Sequence, residues 1–175
     1  MDSPVNTFDA MVNEHRLRIY RAACLLLDDP HEAEDVTQRV FLDAWRGWSR
    51  FERRSEVFTW LYTILRRTCA RHRRQVWWRH FRASDAPTQA ALDDVPSDEP
   101  SPPEIARANE ACRAVRTLLK KLSPSLRDVL VLRYIEEFSV GEIARVLKIP
   151  DGTVKSRIHY ALQLAALQWN KEQKE

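Results

Sequence analysis

The chain has 175 residues, of which 44% are hydrophobic and 30% charged, and its net charge is only +3. This length predicts one or two small domains with enough apolar residues for packed cores. The sequence contains no apolar run approaching the ~20 residues of a membrane span, and no secretory signal is expected at its N-terminus. With only three glycines and no alternating apolar pattern, the predicted fold class is all-α.

The mild net charge conceals a segmental pattern. Residues 1–82 carry 15 bases and 11 acids, residues 83–104 carry six acids and no base, and residues 105–175 carry 13 bases and eight acids. Two basic blocks therefore flank an acidic spacer. Basic blocks suit a polyanion, because each neutralised phosphate releases counterions.

The first 50 residues predict a pair of amphipathic helices. Apolar side chains recur at helical spacing from Phe8 to Leu26 and again from His31 to Trp48, and Asp28-Asp29-Pro30 separates the two runs. The apolar side of the second helix is predicted to comprise Ala33, Val36, Val40, Phe41, Ala44 and Trp45.

The segment from 51 to 82 combines bases with aromatic rings. Seven arginines and no acid lie between Arg66 and Arg82, and His72, Trp77, Trp78, His80 and Phe81 are interleaved with them. Arginines suit a phosphate backbone and flat side chains suit unstacked bases, so the pattern favours nucleic-acid binding over a merely solvated basic face. Two adjacent residues cannot share one side of a helix, so one of the two tryptophans is expected at a surface or interface.

Residues 83–104 predict a linker between two domains, 1–82 and 105–175. The segment holds five of the nine prolines and six acids, and it has no aromatic residue with which to build a core. Beyond it, we predict one helix from Ile105 to Leu122 and another that starts with Ser123-Pro124, with proline at the first helical position. The core of that next helix is predicted from Leu126, Val129, Leu130 and residues 132–134.

Residues 139–161 predict a helix-turn-helix. Ser139 and Glu142 form a capping box, and Ile143, Ala144 and Leu147 follow at helical spacing. Pro150 ends that helix, and Asp151-Gly152 is predicted to form the turn. The second helix places Val154, Ile158 and Ala161 on one face and polar residues on the other, which is the layout of a helix that lies in the major groove. Those polar residues are Lys155, Ser156, His159 and Tyr160, with Arg157 at the edge.

The cysteines and histidines do not indicate a metal or redox site. Cys24, Cys69 and Cys112 lie far apart without a CxxC pair, which suggests a reducing compartment and small core residues. The spacing of Cys69, His72 and His80 matches no recognised ligand pattern. We expect no metal and no cofactor, and because no nucleophile–base set or phosphate loop is evident, no enzymatic activity.

Three stretches resemble the extracytoplasmic-function sigma factors of bacterial RNA polymerase. The run from Leu122 to Ala161, which contains Leu-Ser-Pro-Ser-Leu-Arg-Asp-Val-Leu and Thr-Val-Lys-Ser-Arg, resembles region four of that family. Residues 34–45 resemble region 2.2, and residues 51–67 resemble the promoter-melting part of region two. The resemblance implies two helical domains joined by a flexible acidic linker, which would bind core polymerase and direct it to −10 and −35 promoter elements.

The resemblance also implies roles for individual residues. The −35 element would be read by Lys155, Ser156, Arg157, His159 and Tyr160. The −10 element would be bound and melted by Arg53, Arg54, Ser55, Arg66, Arg67, Arg71 and Arg74. The clamp helices of the largest polymerase subunit would dock on Asp35, Gln38 and Phe41. The sequence departs from the family's pattern at Arg39 in the docking segment and at Tyr160 in the −35 reader. It also departs at Arg53, Arg67 and Arg71, from which we expect an altered −10 preference and stronger backbone contact.

The implied partners are core RNA polymerase, including the flap of its second-largest subunit, promoter DNA and an anti-sigma factor, with no small-molecule substrate. The implied location is the cytoplasm, or the inner membrane face when the anti-sigma factor is membrane-anchored. The linker would either line a polymerase channel or serve as a plain tether.

Two other functions stay open at this stage. A stand-alone helix-turn-helix repressor or activator would use residues 1–82 for dimerisation or sensing. That hypothesis does not explain why the segment 66–82 is basic and free of acids. A sigma mimic that titrates an anti-sigma factor would keep the docking faces and need not keep Lys155, Ser156 and Arg157, which are present here.

Overall fold

The computed structural model describes residues 4–27, 29–52, 55–82 and 114–172, and all regular structure within these ranges is helical, which confirms the all-α class. The linker 83–104, the start of the helix predicted from Ile105, and Cys112 lie outside them. The elements are α1 (Pro4–Leu26), α2 (Pro30–Trp48), α3 (Val57–Arg82), α4 (residues 114–120), α5 (Pro124–Leu130), a π-helical turn (Val131–Ile135), α6 (Val140–Leu147) and α7 (Asp151–Glu172).

Helices α1, α2 and α3 pack against one another as a first bundle. Helix α2 starts where expected because the Asp29 carboxylate accepts a hydrogen bond from the His31 backbone N–H at 2.8 Å and proline occupies the first turn. Trp45, predicted in the core, is instead 50% exposed and touches Phe8 edge to face at 4.9 Å. It lies at the margin of the apolar stripe, where a large ring is covered on one side only.

The second bundle is built from α5, α6 and α7, and the π-helical turn changes which side chains its core receives. Ser123 and Pro124 start α5 as predicted. A hydrogen bond from the Glu136 N–H to the Val131 carbonyl, at 3.0 Å, spans five residues. The wider turn buries Leu132 but leaves Tyr134 54% exposed, so the predicted core at 132–134 is wrong beyond its first residue.

The helix-turn-helix forms from α6 and α7. The capping box is present: the Glu142 carboxylate accepts from the Ser139 N–H at 2.8 Å, and the Ser139 hydroxyl accepts from the Glu142 N–H at 3.3 Å. The turn itself was predicted at the wrong residues. Lys148 adopts the left-handed conformation (φ 54°) that ends α6, and Asp151 and Gly152 already belong to α7. An acid in the first turn of a helix is favoured by its dipole, so Asp151 suits that place.

Candidate nucleic-acid interface

The second helix of the helix-turn-helix presents one polar face. Lys155, Ser156, His159 and Tyr160 are all exposed. The opposite side is anchored by Val154 and Ala161, which are fully buried. Because the apolar side fixes the rotation of α7, the four polar side chains stand together on its outer surface.

Arg157 behaves differently from those four residues. It is half-buried, and its positive charge acts on Asp128 in α5, where it favours the ionised carboxylate. Its partial burial distinguishes Arg157 from the four exposed residues of the polar face.

The loop between α2 and α3 is held by an aromatic stack. Phe51 stacks on Trp60 of α3 at 4.7 Å and on Trp48 of α2 at 5.8 Å. Gly47 permits this approach, because a Cβ there would lie 3.3 Å from the Trp60 ring. Ser55 is half-buried in the loop, whereas Arg53 and Arg54 lie outside the described residues. The start of the loop is thus held beside the start of α3.

The predicted arginines of α3 divide into two sets. Arg67, Arg71 and Arg74 are exposed, and their spacing of four and then three residues puts them on one helical face. Arg66 points elsewhere: its Nη1 lies 4.0 Å from the Asp128 carboxylate of the second bundle, and its side chain is largely covered. The structure therefore brings three of the predicted −10 arginines together and separates the fourth.

An aromatic cluster continues the arginine face. Trp78 and Phe81 follow Arg74 at spacings of four and three residues, and both are exposed. Trp77 stacks on Phe81 at 5.4 Å and meets Trp78 edge to face at 4.9 Å. The sequence predicted one tryptophan at a surface, but both are at least half exposed.

The outer face of α2 is mixed polar and apolar. Asp35 and Gln38 are exposed there, and Leu42 and Trp45 lie on the same face at 58% and 50% exposure. Phe41, the third predicted docking residue, is half-buried against the core. Sequence analysis missed Leu42, although its position four residues after Gln38 places it on this face. A cleft of about 330 Å³ separates the face from α3.

An apolar groove crosses the second bundle. Its volume is about 210 Å³ and its walls come from α4, α5, the π-helical turn and the end of α7. Tyr134, Ile135, Leu162 and Trp169 line it and are each 44–54% exposed. The sequence analysis did not identify this groove, because it forms only when the π-helical turn brings Tyr134 and Ile135 opposite α7.

The predicted absence of a metal site remains a prediction. Among the residues that the structure describes, no group of three or more potential ligands lies close enough to hold a metal. Burial raises the pKa of the Cys69 thiol to about 12, which disfavours the thiolate that metals require. No helix in the described part of the chain combines the length and apolar character needed to cross a bilayer.

Comparisons with known proteins decide the family. The model of sigma-70 region 2 matches residues 11–79, and that of sigma-70 region 4 matches residues 112–164. The ECF RNA polymerase sigma factor SigW of Bacillus subtilis is 32% identical over 157 residues, covering 88% of this chain and 84% of that protein. The chain belongs to the extracytoplasmic-function sigma factors. The RNA polymerase sigma-H factor of Pseudomonas aeruginosa is 33% identical over 165 residues, which cover 88% of this chain and 81% of that protein.

Solved structures of sigma factors share the fold. The sigma factor RpoE in complex with the anti-sigma factor NepR, from Bartonella quintana, superposes with a TM-score of 0.73 at 24% identity, over 91% of this chain and 94% of that one. CnrH in complex with the cytosolic domain of CnrY gives a TM-score of 0.66 at 22% identity, over 95% and 89% of the two chains. At these identities the likeness is one of fold. The first bundle thus corresponds to sigma region 2 and the second to region 4.

Proposed function

We propose that this sigma factor binds core RNA polymerase in the cytoplasm, directs it to promoters with −10 and −35 elements and helps to open the DNA there, without an active site of its own. The observation that carries the proposal is the pair of separate exposed surfaces suited to DNA, one on α3 and one on α7. A stand-alone repressor needs only the second.

The −35 contact is assigned to the exposed polar face of α7. Lys155 and His159 stand one helical turn apart with Ser156 and Tyr160 beside them, which is the arrangement of a helix that reads base edges in the major groove. Arg157 is assigned a smaller part, since its side chain is half-buried and its charge acts partly on Asp128.

The −10 contact is assigned to the loop before α3 and the face of Arg67, Arg71 and Arg74. Unstacking a base step costs a few kcal/mol, so a protein without an energy source must recover that cost by capturing the exposed base. The Phe51 stack holds the start of the loop against Trp48 and Trp60, so this end loses little entropy when a base is bound.

Two further surfaces suit core polymerase. On region 2, Leu42 and Trp45 extend the predicted docking face of Asp35 and Gln38 with apolar area that a partner helix would cover. On region 4, the apolar groove along Tyr134 and Ile135 suits an apolar segment, and we assign it to the polymerase flap. We further propose control by an anti-sigma factor. RpoE was solved in complex with the anti-sigma factor NepR, and CnrH in complex with the cytosolic domain of CnrY.

The test is run-off transcription with bacterial core polymerase and a pool of randomised promoters. Sequenced products that share two spaced upstream motifs would support the proposal. Lys155→Ala should blur only the −35 motif, at about 1–3 kcal/mol per lost base contact. Gln163→Ala, also exposed on α7 two turns further on, is the matched control.

The −10 assignment has its own variant. Arg71→Ala should weaken the downstream motif or reduce the salt dependence of binding by about one phosphate contact. Arg50→Ala, an exposed arginine outside α3, is its control. Binding to duplex DNA without core-dependent transcripts would instead favour the repressor, and the absence of both would favour a sigma mimic.

A further inference from the structure

A second cleft, which we call the basic cleft, lies between the end of α2 and the first part of α3. Its volume is about 340 Å³. Three arginines line it, Arg46 from α2 and Arg67 and Arg71 from α3, together with the single acid Asp43. Because two helices contribute these arginines, positive charge is concentrated where the helices meet. With three bases against one acid, the basic cleft favours an anion.

Asp43 is shared between two of the arginines. Its Oδ1 accepts a hydrogen bond from Arg46 Nη1 at 3.2 Å, and its Oδ2 lies 4.0 Å from Arg71 Nη2, which is too far for a hydrogen bond. The side chains of Arg46 and Arg71 are 76% and 50% exposed. Ion pairs as exposed as these contribute little to stability. An incoming anion can therefore take the place of Asp43 at both guanidiniums.

The basic cleft adjoins the loop to which base capture is assigned. Gly47 and Trp60 line its end, and the Trp60 ring also stacks on Phe51 at the start of that loop, at 4.7 Å. A strand with one base held at the loop would carry its neighbouring phosphates past the basic cleft. The anion most readily delivered there is thus a phosphodiester.

Arg46 is the member of this group that neither the sequence nor the proposed −10 face includes. It belongs to α2, the helix assigned to polymerase docking, and follows Leu42 by one helical turn. Leu42 and Trp45 of the docking face do not line the basic cleft, whereas Arg46 lines it together with Arg67 and Arg71. Its position therefore groups Arg46 with the DNA-binding arginines.

We propose that the basic cleft is a phosphodiester site, in which Arg46 and Arg71 bind one backbone phosphate of the promoter strand and Asp43 competes with that phosphate for both guanidiniums. The site rests on the proposed function for its DNA partner, and it extends the −10 surface from α3 onto α2. Pairs between arginine and phosphate are charge-assisted and often bidentate, so they are stronger than the exposed pair they replace. Asp43 lowers the affinity for every sequence alike, because phosphates carry no sequence information.

The test uses the full-length protein and two fluorescent probes. The first is an oligothymidylate of about ten nucleotides, within the usual site size for single strands, which is added to the protein alone. The second is a forked promoter fragment recovered from the randomised pool, which is added to the holoenzyme formed with core polymerase. Each affinity is measured over a series of salt concentrations, because the slope of log affinity against log salt counts phosphate contacts. Circular dichroism establishes that each variant is folded.

Arg46→Ala should make the slope for oligothymidylate shallower by about 0.7, the value of one phosphate contact on a single strand. Arg46→Lys keeps the charge and should keep most of the slope while it loses the forked donor. Arg50→Ala is the matched control: Arg50 is exposed just beyond α2 and does not line the basic cleft, so the slope should stay unchanged.

Asp43→Asn tests the competition. Removing a unit charge about 6 Å from a phosphate in water should raise affinity about threefold. The increase should be equal for the promoter fragment and for a scrambled fragment of the same length. The affinity of the holoenzyme's two components for each other should stay unchanged.

A wild-type salt slope in Arg46→Ala, or an equal loss of slope in Arg50→Ala, would overturn the site. Weaker binding of DNA by Asp43→Asn would overturn the competition and make Asp43 a residue that positions the arginines. If Arg46→Ala lowered only the affinity for core polymerase, Arg46 would belong to the docking face instead. Oligothymidylate requires neither a promoter nor polymerase, so the expected slopes in a protein that starts no transcription would reject the proposed function while the site stands.

Discussion

Arg127 is the side chain whose removal should destabilise this protein most directly. It is only 6% exposed, and its guanidinium joins the ends of two helices, α4 and α1. Nε donates to the Leu119 carbonyl at 2.9 Å, Nη2 to the Lys120 carbonyl at 2.9 Å and Nη1 to the Leu26 carbonyl at 3.0 Å. All three carbonyls lie in the last turns of α4 and α1, where the usual helical donors run out. The Leu119 carbonyl also accepts from the Leu122 N–H at 3.1 Å.

The magnitude follows from those bonds. A hydrogen bond from a charged donor contributes about 1.5–3 kcal/mol, so three bonds sum to roughly 4.5–9 kcal/mol. Water entering after truncation recovers part of the sum, and we expect Arg127→Ala to lower the free energy of unfolding by about 4 kcal/mol. At about 2–4 °C per kcal/mol for a protein of this size, the melting temperature should fall by about 8–16 °C.

Thermal and urea unfolding followed by circular dichroism measure this change. Arg127→Lys keeps the charge but has no forked donor, so it should lose about half as much as Arg127→Ala. Arg133→Ala is the matched control, because Arg133 is exposed and makes one bond, to the Phe138 carbonyl at 3.0 Å. A melting temperature for Arg127→Ala within about 3 °C of the wild type would refute the reasoning.

Three further outcomes are expected. Ser139→Ala removes one side of the capping box and should lower the free energy of unfolding by about 1 kcal/mol in a thermal melt. Ser139→Thr keeps the hydroxyl and should stay within a few tenths of a kcal/mol of the wild type. Equal losses in both variants would argue against capping. Burial raises the pKa values of Glu136 and Asp128, so the folded protein binds protons at these carboxyls more tightly than the unfolded chain. Their contribution to the free energy of unfolding should therefore grow as pH falls towards the ordinary values of 4.5 and 3.8, and be lost as pH rises through the raised values. Urea unfolding across a pH series tests this, by comparing the wild type with a variant in which both carboxyls are replaced by amides; an equal pH dependence in the two proteins would contradict it. Leu42→Glu should weaken core polymerase binding by about tenfold in a pull-down or fluorescence titration. The melting temperature should change little, because Leu42 is already 58% exposed. Unchanged binding would show that the apolar residues of α2 do not contact the polymerase.

The sequence determined the elements and the family because both depend on local pattern. The capping box at Ser139, proline in the first turn of α5 and the apolar spacing of α6 act within a few residues, and each is found where the sequence predicts it. The exposed face of Lys155 and His159 was predictable for the same reason, since the period of a helix fixes which side chains oppose the apolar stripe.

Only the tertiary structure decided how these elements face one another. Nothing local predicts that Arg66 meets Asp128 and leaves Arg67, Arg71 and Arg74 to form the exposed face, because that choice depends on a contact between residues far apart in the chain. The π-helical turn is a similar case. One extra residue per turn rotates the chain after Val131, which exposes Tyr134 and carries Glu136 to Arg18, 118 residues away. A periodic reading of the sequence assumes a regular helix, so it could not place side chains beyond that turn.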